Sequence, residues 1–135
     1  MERPNGGRVL IACIGLDGHE IPAKLVSHAL MDVGLEVVYL GLCQTPESIV
    51  ASALQEDVDA IGISSMCGVH NEVVPEILEL LKHEDAFNIP VVLGGVIPRA
   101  DMAGLKQQGV KEIFGPGTPL SRISEFFKQV VATRR

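Results

Sequence analysis

A doubly wound α/β domain, one five-stranded parallel sheet with helices on both faces, follows from three features of the sequence. Short runs rich in Val, Ile and Leu at residues 8–14, 35–40, 60–63, 91–93 and 112–114 read as strands buried on both sides. Helical stretches alternate with them, at residues 20–33, 46–56, 71–83, 98–108 and 119–132. The connections are short throughout, as right-handed crossovers between parallel neighbours require, and with five strands the expected order is 2-1-3-4-5, the flavodoxin-like arrangement.

Each element has its own warrant. The first strand, Arg-Val-Leu-Ile-Ala-Cys-Ile, is apolar after its first residue, and the first helix carries Pro22 in its opening turn and stops at Gly34. The second strand runs from Leu35 into Leu40, and the second helix opens on Pro46. The third strand begins at Ala60. The helix after it sets Val73, Val74, Ile77, Leu78, Leu80 and Leu81 on one broad apolar face. The fourth strand is Val91-Val92-Leu93, followed by a helix that opens at Pro98 and stops at Gly109. The fifth strand, Glu112-Ile113-Phe114, leads to a last helix opened by Pro119.

The whole chain, 1–135, reads as a single domain, since 135 residues leave no room for a second sizeable core. With 47 % apolar and 21 % charged residues the chain buries a core. A net charge of −6 argues against binding to nucleic acid or anionic membranes, which requires an excess of Lys and Arg. Neither a run of roughly 20 apolar residues nor a secretory leader is visible, so a cytoplasmic location is expected. Cys13, Cys43 and Cys67 form no C-x-x-C pair and signal neither a disulfide framework nor a zinc site. One tyrosine, Tyr39, and no tryptophan leave little to stack on a flavin or a base.

In a sheet of this order the ligand crevice lies beyond the carboxyl ends of the strands, at the switch point between strands 1 and 3. The loops expected there read Gly15-Leu16-Asp17-Gly18-His19, then Ser64-Ser65-Met66-Cys67-Gly68-Val69-His70, then Gly94-Gly95-Val96, then Gly115-Pro116-Gly117-Thr118. Asp17 and His19, two apart, can project to one side and pair, and a carboxylate on one imidazole nitrogen leaves the other free as base, acid or metal ligand. Taken alone, the same three residues read equally as an Asp-Gly turn with an incidental histidine. A receiver domain would need acidic residues after strand 1, an Asp after strand 3 and a Lys after strand 5. This chain has Ile14-Gly15, Ser64 and Gly115 at those places. A flavodoxin would need a hydroxyl-rich phosphate loop and flanking aromatics, which are missing.

Together the loops resemble the cobalamin-binding domain of the methylmalonyl-CoA mutase type, whose signature is D-x-H-x-x-G, then S-x-L, then G-G. Here the elements are Asp17-Gly18-His19-Glu20-Ile21-Pro22, Ser64-Ser65-Met66 and Gly94-Gly95, with 41 residues in the first gap (23–63) and 27 in the second (67–93). The stretch 113–118 also resembles the family's fifth-strand loop, so the likeness spans almost the whole chain.

The resemblance implies adenosylcobalamin as cofactor, with His19 replacing the cofactor's own dimethylbenzimidazole as lower cobalt ligand and Asp17 hydrogen-bonding its second nitrogen. It implies a slot between strands 1 and 3 for the displaced nucleotide tail, with Ser64 facing the benzimidazole. Gly94 and Gly95 would allow close approach, and Gly115, Gly117 and Thr118 would line the ribose-phosphate end. Three departures stand out: Pro22 for the motif's Gly, Met66 for its Leu, and Cys13 where acyl-CoA mutases usually carry a Lys that pairs with the Asp. The function so implied is that of the cobalamin-binding subunit of an acyl-CoA mutase, an isomerase that performs a radical carbon-skeleton rearrangement. It would be active only with a separate barrel-type large subunit that binds the acyl-CoA. The alternative is a non-enzymatic cobalamin carrier or sensor domain.

Other candidates read more plainly. His70 opens the third helix near the site and reads as a tail contact, a cap or a surface residue. His28, His83 and Cys67 read as structural, and Lys24 as part of a solvated face.

Overall fold

The computed structural model describes residues 7–15, 20–66 and 68–134. Its elements alternate throughout: β1 (Arg8–Ile14), α1 (Ile21–Asp32), β2 (Glu36–Gly41), α2 (Pro46–Gln55), β3 (Ala60–Ser65), α3 (His70–His83), β4 (Val91–Gly95), α4 (Arg99–Gln108), β5 (Val110–Phe114) and α5 (Leu120–Arg134). The strands form one parallel sheet in the order β2-β1-β3-β4-β5, as the sequence predicts.

Alternation along the strands splits the core into two layers. On β1, Leu10, Ala12 and Ile14 face α2, α3 and α4, where Ile49, Ile77, Leu81 and Leu105 complete one cluster. Val9, Ile11 and Cys13 face α1 and α5, where Leu30, Phe127 and Val131 complete the other. Leu10 is fully buried, so Leu10→Ala should cost about 2–5 kcal/mol.

Local chemistry fixes the helix ends. Thr45 and Ser48 exchange reciprocal backbone-to-hydroxyl hydrogen bonds of 3.1 and 3.0 Å at the start of α2, with Pro46 in the first turn. Gly34 and Gly109 follow α1 and α4 at φ +92° and +130°, as helix-terminating glycines. At the amino ends of the strands the Arg8 N–H donates to Asp59 Oδ2 at 2.9 Å, while its guanidinium holds Glu36 at 2.6 Å. That end of the sheet is tied shut, and the opposite end carries the cavity described below.

Several boundaries differ from the sequence reading, and those of β3 and β4 bear on the site. β3 and β4 run on to Ser65 and Gly95, with Ser64 paired to Gly94 and Ser65 to Gly95, so these four residues belong to the ladder and not to loops. Backbone hydrogen bonding continues past the last β-branched residue, where side-chain propensity gives no signal. β5 likewise begins at Val110, immediately after Gly109.

Candidate functional site

A cavity of about 410 Å³ opens at the carboxyl ends of β3, β4 and β5, between the sheet and helices α1 and α5. Its floor is made by glycine. On β3, residues 60, 62 and 64 face the α1 and α5 layer, and a Cβ on Gly62 would stand 2.7 Å from Ile11 Cδ1 and 3.1 Å from Phe127 Cζ. Without one, those side chains close the bottom of the cavity while its upper part stays open. Ser64, one pleat further along, supplies a hydroxyl to an otherwise largely apolar wall, and Met66 follows it.

The glycine pair divides into two roles. Gly94 lines the cavity, and a Cβ there would make only an ordinary contact, 3.7 Å from the Phe114 carbonyl oxygen. Gly95 has φ +124°, and a Cβ would overlap the Ser65 carbonyl oxygen and stand 2.8 Å from the carbonyl carbon. Gly95 is therefore required by the β3–β4 junction itself, whereas the space beside Gly94 belongs to the cavity. Ser65, on the opposite face of β3 from Ser64, is fully buried, and its hydroxyl has no hydrogen-bond partner among the described residues.

The far rim is the turn from Gly115 to Thr118. Thr118 Oγ1 donates to the Gly115 carbonyl at 2.8 Å, and Gly117 takes φ +84°, which closes the turn just before α5. A Cβ on Gly115 or Gly117 would meet nothing within 4 Å, so both keep this side of the cavity open. The near rim is α1, where Pro22 falls in the first turn and lines the cavity. A proline there loses no helical hydrogen bond and already has a helical φ, which settles how the chain tolerates Pro22 in place of Gly. Ile21 lies outside the cavity and is 71 % exposed.

Asp17, Gly18 and His19 lie outside the described residues, as does Cys67. Their flanks are described. Gly15, at φ +92°, follows β1, and Glu20 precedes α1. The Glu20 carboxylate does not line the cavity; it accepts from the Tyr39 hydroxyl at 2.7 Å and meets Lys24 Nζ at 3.3 Å. The Tyr39 bond, and then Lys24, hold the Glu20 carboxyl below the usual carboxylate range. Burial, followed by the bond to Glu20 and the neighbouring Cys13, pushes the Tyr39 phenol well above its ordinary value, so it stays a neutral donor.

His70 is neither a surface residue nor a wall of the cavity. It is 2 % exposed, on the α3 side of the sheet, with Nε2 2.9 Å from Asp101 Oδ2 on α4, and that bond lowers the Asp101 pKa. His28 and His83 are exposed, and Lys24 serves Glu20. Among the described residues no group of three His, Cys, Asp or Glu side chains could hold a metal ion, and no helix is long and apolar enough to cross a membrane.

Sequence reasoning missed Gly62, Phe127 and Tyr39. Gly62 carried a usable signal, a glycine inside a β-branched run, which marks a bulge or a close approach. Phe127 looks like any core aromatic on an amphipathic helix, and Tyr39 matters through a partner nineteen residues away in the chain.

Comparison with known proteins fits this geometry. Residues 7–123 match the family model of the B12 binding domain. The 2-hydroxyisobutanoyl-CoA mutase small subunit of Aquincola tertiaricarbonis is 43 % identical over 127 residues, 94 % of this chain and 93 % of that protein. A methylmalonyl-CoA mutase of Cereibacter sphaeroides is 39 % identical over 128 residues, 95 % of this chain but 18 % of that protein. Among solved structures, a cobalamin-binding protein from Desulfitobacterium hafniense superposes with a TM-score of 0.79 at 19 % identity, covering 92 % of this chain and 58 % of that one, which speaks for the fold. With the family model spanning most of its length and a small-subunit relative matched nearly end to end, this chain belongs to the B12-binding domain family.

Proposed function

We propose that this chain is the cobalamin-carrying small subunit of an adenosylcobalamin-dependent acyl-CoA mutase, an isomerase completed by a separate, barrel-type large subunit that binds the acyl-CoA. The observation that carries the reading is the cavity beside Ser64 and Gly94. It is mostly apolar, floored by Gly62 and provided with a single inward hydroxyl on β3. Its volume of about 410 Å³ lies within the range that small-molecule sites occupy, and its long apolar walls suit a flat heteroaromatic base with a sugar attached.

The residues fit a base-off cobalamin. Ser64 would hydrogen-bond the benzimidazole, while Gly62, Gly94 and the α5 side of the cavity would enclose it. Gly115, Gly117 and Thr118 would receive the ribose-phosphate end. The Thr118 hydroxyl has spent its proton on Gly115, and its oxygen remains free only to accept, so the phosphate would be met by backbone N–H groups at the start of α5. His19 would take the lower position on cobalt, oriented by Asp17, and Met66 would close the slot from the β3 side. When bound, adenosylcobalamin supplies a weak cobalt–carbon bond whose homolysis starts the radical rearrangement. The chain's own work is to grip the tail, fix the lower ligand and present the upper face to the partner.

Two arrangements in relatives support the division of labour. The full-length match is to a protein called a small subunit, whereas in the methylmalonyl-CoA mutase the matched region is under a fifth of the chain.

The experiment compares cobalamin with cobinamide, the same corrinoid without its nucleotide tail, by absorption titration of the purified protein. The reading expects cobalamin to bind at least about a hundredfold more tightly, because burying an aromatic base is worth roughly 3 kcal/mol. Equal affinities would remove the tail from the cavity. Mixing the loaded chain with a mutase large subunit should then yield isomerisation of an acyl-CoA, and neither protein alone should. Tight cobalamin binding without activity in any such pair would favour the carrier or sensor alternative.

A further inference from the structure

Two buried polar atoms on the side of the sheet away from the cavity, Ser65 Oγ and His70 Nδ1, have no hydrogen-bond partner among the described residues. Both belong to one corner of the fold. Ser65 is the last residue of β3, and alternation from Ile61 and Ile63 turns its side chain into the α2, α3 and α4 layer. His70 opens α3 five residues later and reaches Asp101 in the first turn of α4, with Nε2 2.9 Å from Oδ2. Ser65 is fully buried and His70 is 2 % exposed, so bulk solvent reaches neither.

The protonation pattern says what each atom lacks. The bond to His70, and then one from the Asn71 side chain, hold the Asp101 carboxyl below its ordinary range, so at neutral pH it is a carboxylate that only accepts. Nε2 therefore carries the hydrogen, and in the neutral ring Nδ1 is a bare acceptor in need of a donor. The Ser65 hydroxyl can donate, yet it does not come within hydrogen-bond distance of Nδ1. A buried group left unpaired keeps its full desolvation penalty, and internal waters settle where such groups converge. We propose that Ser65 and His70 together form the site of one internal water, which accepts from the Ser65 hydroxyl and donates to His70 Nδ1. The chain from Asp101 through His70 and the water to Ser65 ties the starts of α3 and α4 to the strand end that carries Ser64. Ser65 also holds β4 through its backbone, since its carbonyl accepts from the Val96 N–H at 3.1 Å and packs against Gly95. The water site lies on the reverse side of β3 from Ser64 and does not depend on what the cavity binds.

Ser65→Ala separates a bonded hydroxyl from an unbonded one by the sign of its effect. A hydroxyl that bonds the water stabilises the fold, so its loss should lower the melting temperature by about 3–5 °C, whereas deleting an unpaired buried hydroxyl leaves the melt unchanged or raises it. Circular dichroism melts of wild type and Ser65→Ala read this difference. A crystal structure of the full chain, at a resolution that shows ordered solvent, should place one water about 2.7–3.2 Å from both Ser65 Oγ and His70 Nδ1, and the same water should be lost or displaced in Ser65→Ala. A variant that melts at or above wild type overturns the proposal. So does a wild-type structure in which no water bonds both atoms, or in which a protein group takes up either of them.

Discussion

Gly94 and Gly95, adjacent and chemically identical, should respond to substitution in opposite ways. At Gly94 a Cβ has ordinary contacts, and the space beyond it is the cavity. Gly94→Val therefore adds three carbons to the slot without pushing on backbone. Replacing glycine in a strand with a β-branched residue lowers the entropy of the unfolded chain and suits the pleat, which is worth about 0.5–1 kcal/mol of added stability. At about 3–5 °C per kcal/mol for a domain of this size, the melting temperature should hold or rise by a few degrees. Cobalamin affinity should fall by about five- to a hundredfold, since overpacking a filled site costs roughly 1–3 kcal/mol. At Gly95, φ +124° and the Ser65 backbone forbid even a methyl group. Gly95→Ala should lose about 2–3 kcal/mol of stability, most of it strain at the β3–β4 junction. Thermal melts followed by circular dichroism, with cobalamin titrations on the same samples, read both quantities. If Gly94→Val binds cobalamin like wild type, or Gly95→Ala melts like wild type, the assignment of the two roles is wrong.

Three further outcomes follow from the same geometry. If Ser64 bonds the tail as proposed, Ser64→Ala should weaken cobalamin binding about fivefold, the loss of one hydrogen bond of about 1 kcal/mol, and leave cobinamide binding unchanged; titration of both corrinoids checks this. Gly62→Val should lower both stability and cobalamin affinity, since its side chain would meet Ile11 and Phe127 at the floor, and melts with titrations would show the two losses together. Glu112 sits below the usual carboxylate range because Lys106 Nζ lies 2.8 Å away and the Ile113 N–H donates to it. A lowered folded-state pKa gives stability that is present above the unfolded value, about pH 4.3, and is lost as pH falls through the folded one. Glu112→Gln should therefore melt below wild type at neutral pH and converge with it in acid, the gap staying small because the pair is partly exposed.

The fold was legible because a doubly wound sheet is written in long-range alternation. Val91-Val92-Leu93 and Ala60 to Ile63 can only be buried on both faces, and Pro22, Pro46, Pro98 and Pro119 mark the helix starts between them. The strand ends were less legible. Ser64, Ser65, Gly94 and Gly95 look like loop residues because small and polar side chains usually sit in turns, yet the parallel ladder continues through them. At the site, the positions of Ser64, Gly94, Gly115, Gly117 and Thr118 around one space were readable from topology, since all follow strands at the same edge. Which way each side chain points was not. A shift of one residue on a strand sends Ser65 into the opposite layer from Ser64, and sequence gives the spacing without the phase. His70 was misjudged for a related reason, as the partner that buries it, Asp101, belongs to another helix.

The atom that would bind cobalt from below tests the proposed function most directly. Electron paramagnetic resonance of the protein loaded with cob(II)alamin, prepared once with ordinary and once with nitrogen-15 histidine, reads that atom directly. With His19 on cobalt, the three-line splitting from one axial nitrogen should become two lines in the labelled protein, and His19→Ala should lose the histidine signal while His83→Ala keeps it. A three-line pattern that persists after labelling would mean that dimethylbenzimidazole still holds the metal, and would contradict the account at its centre.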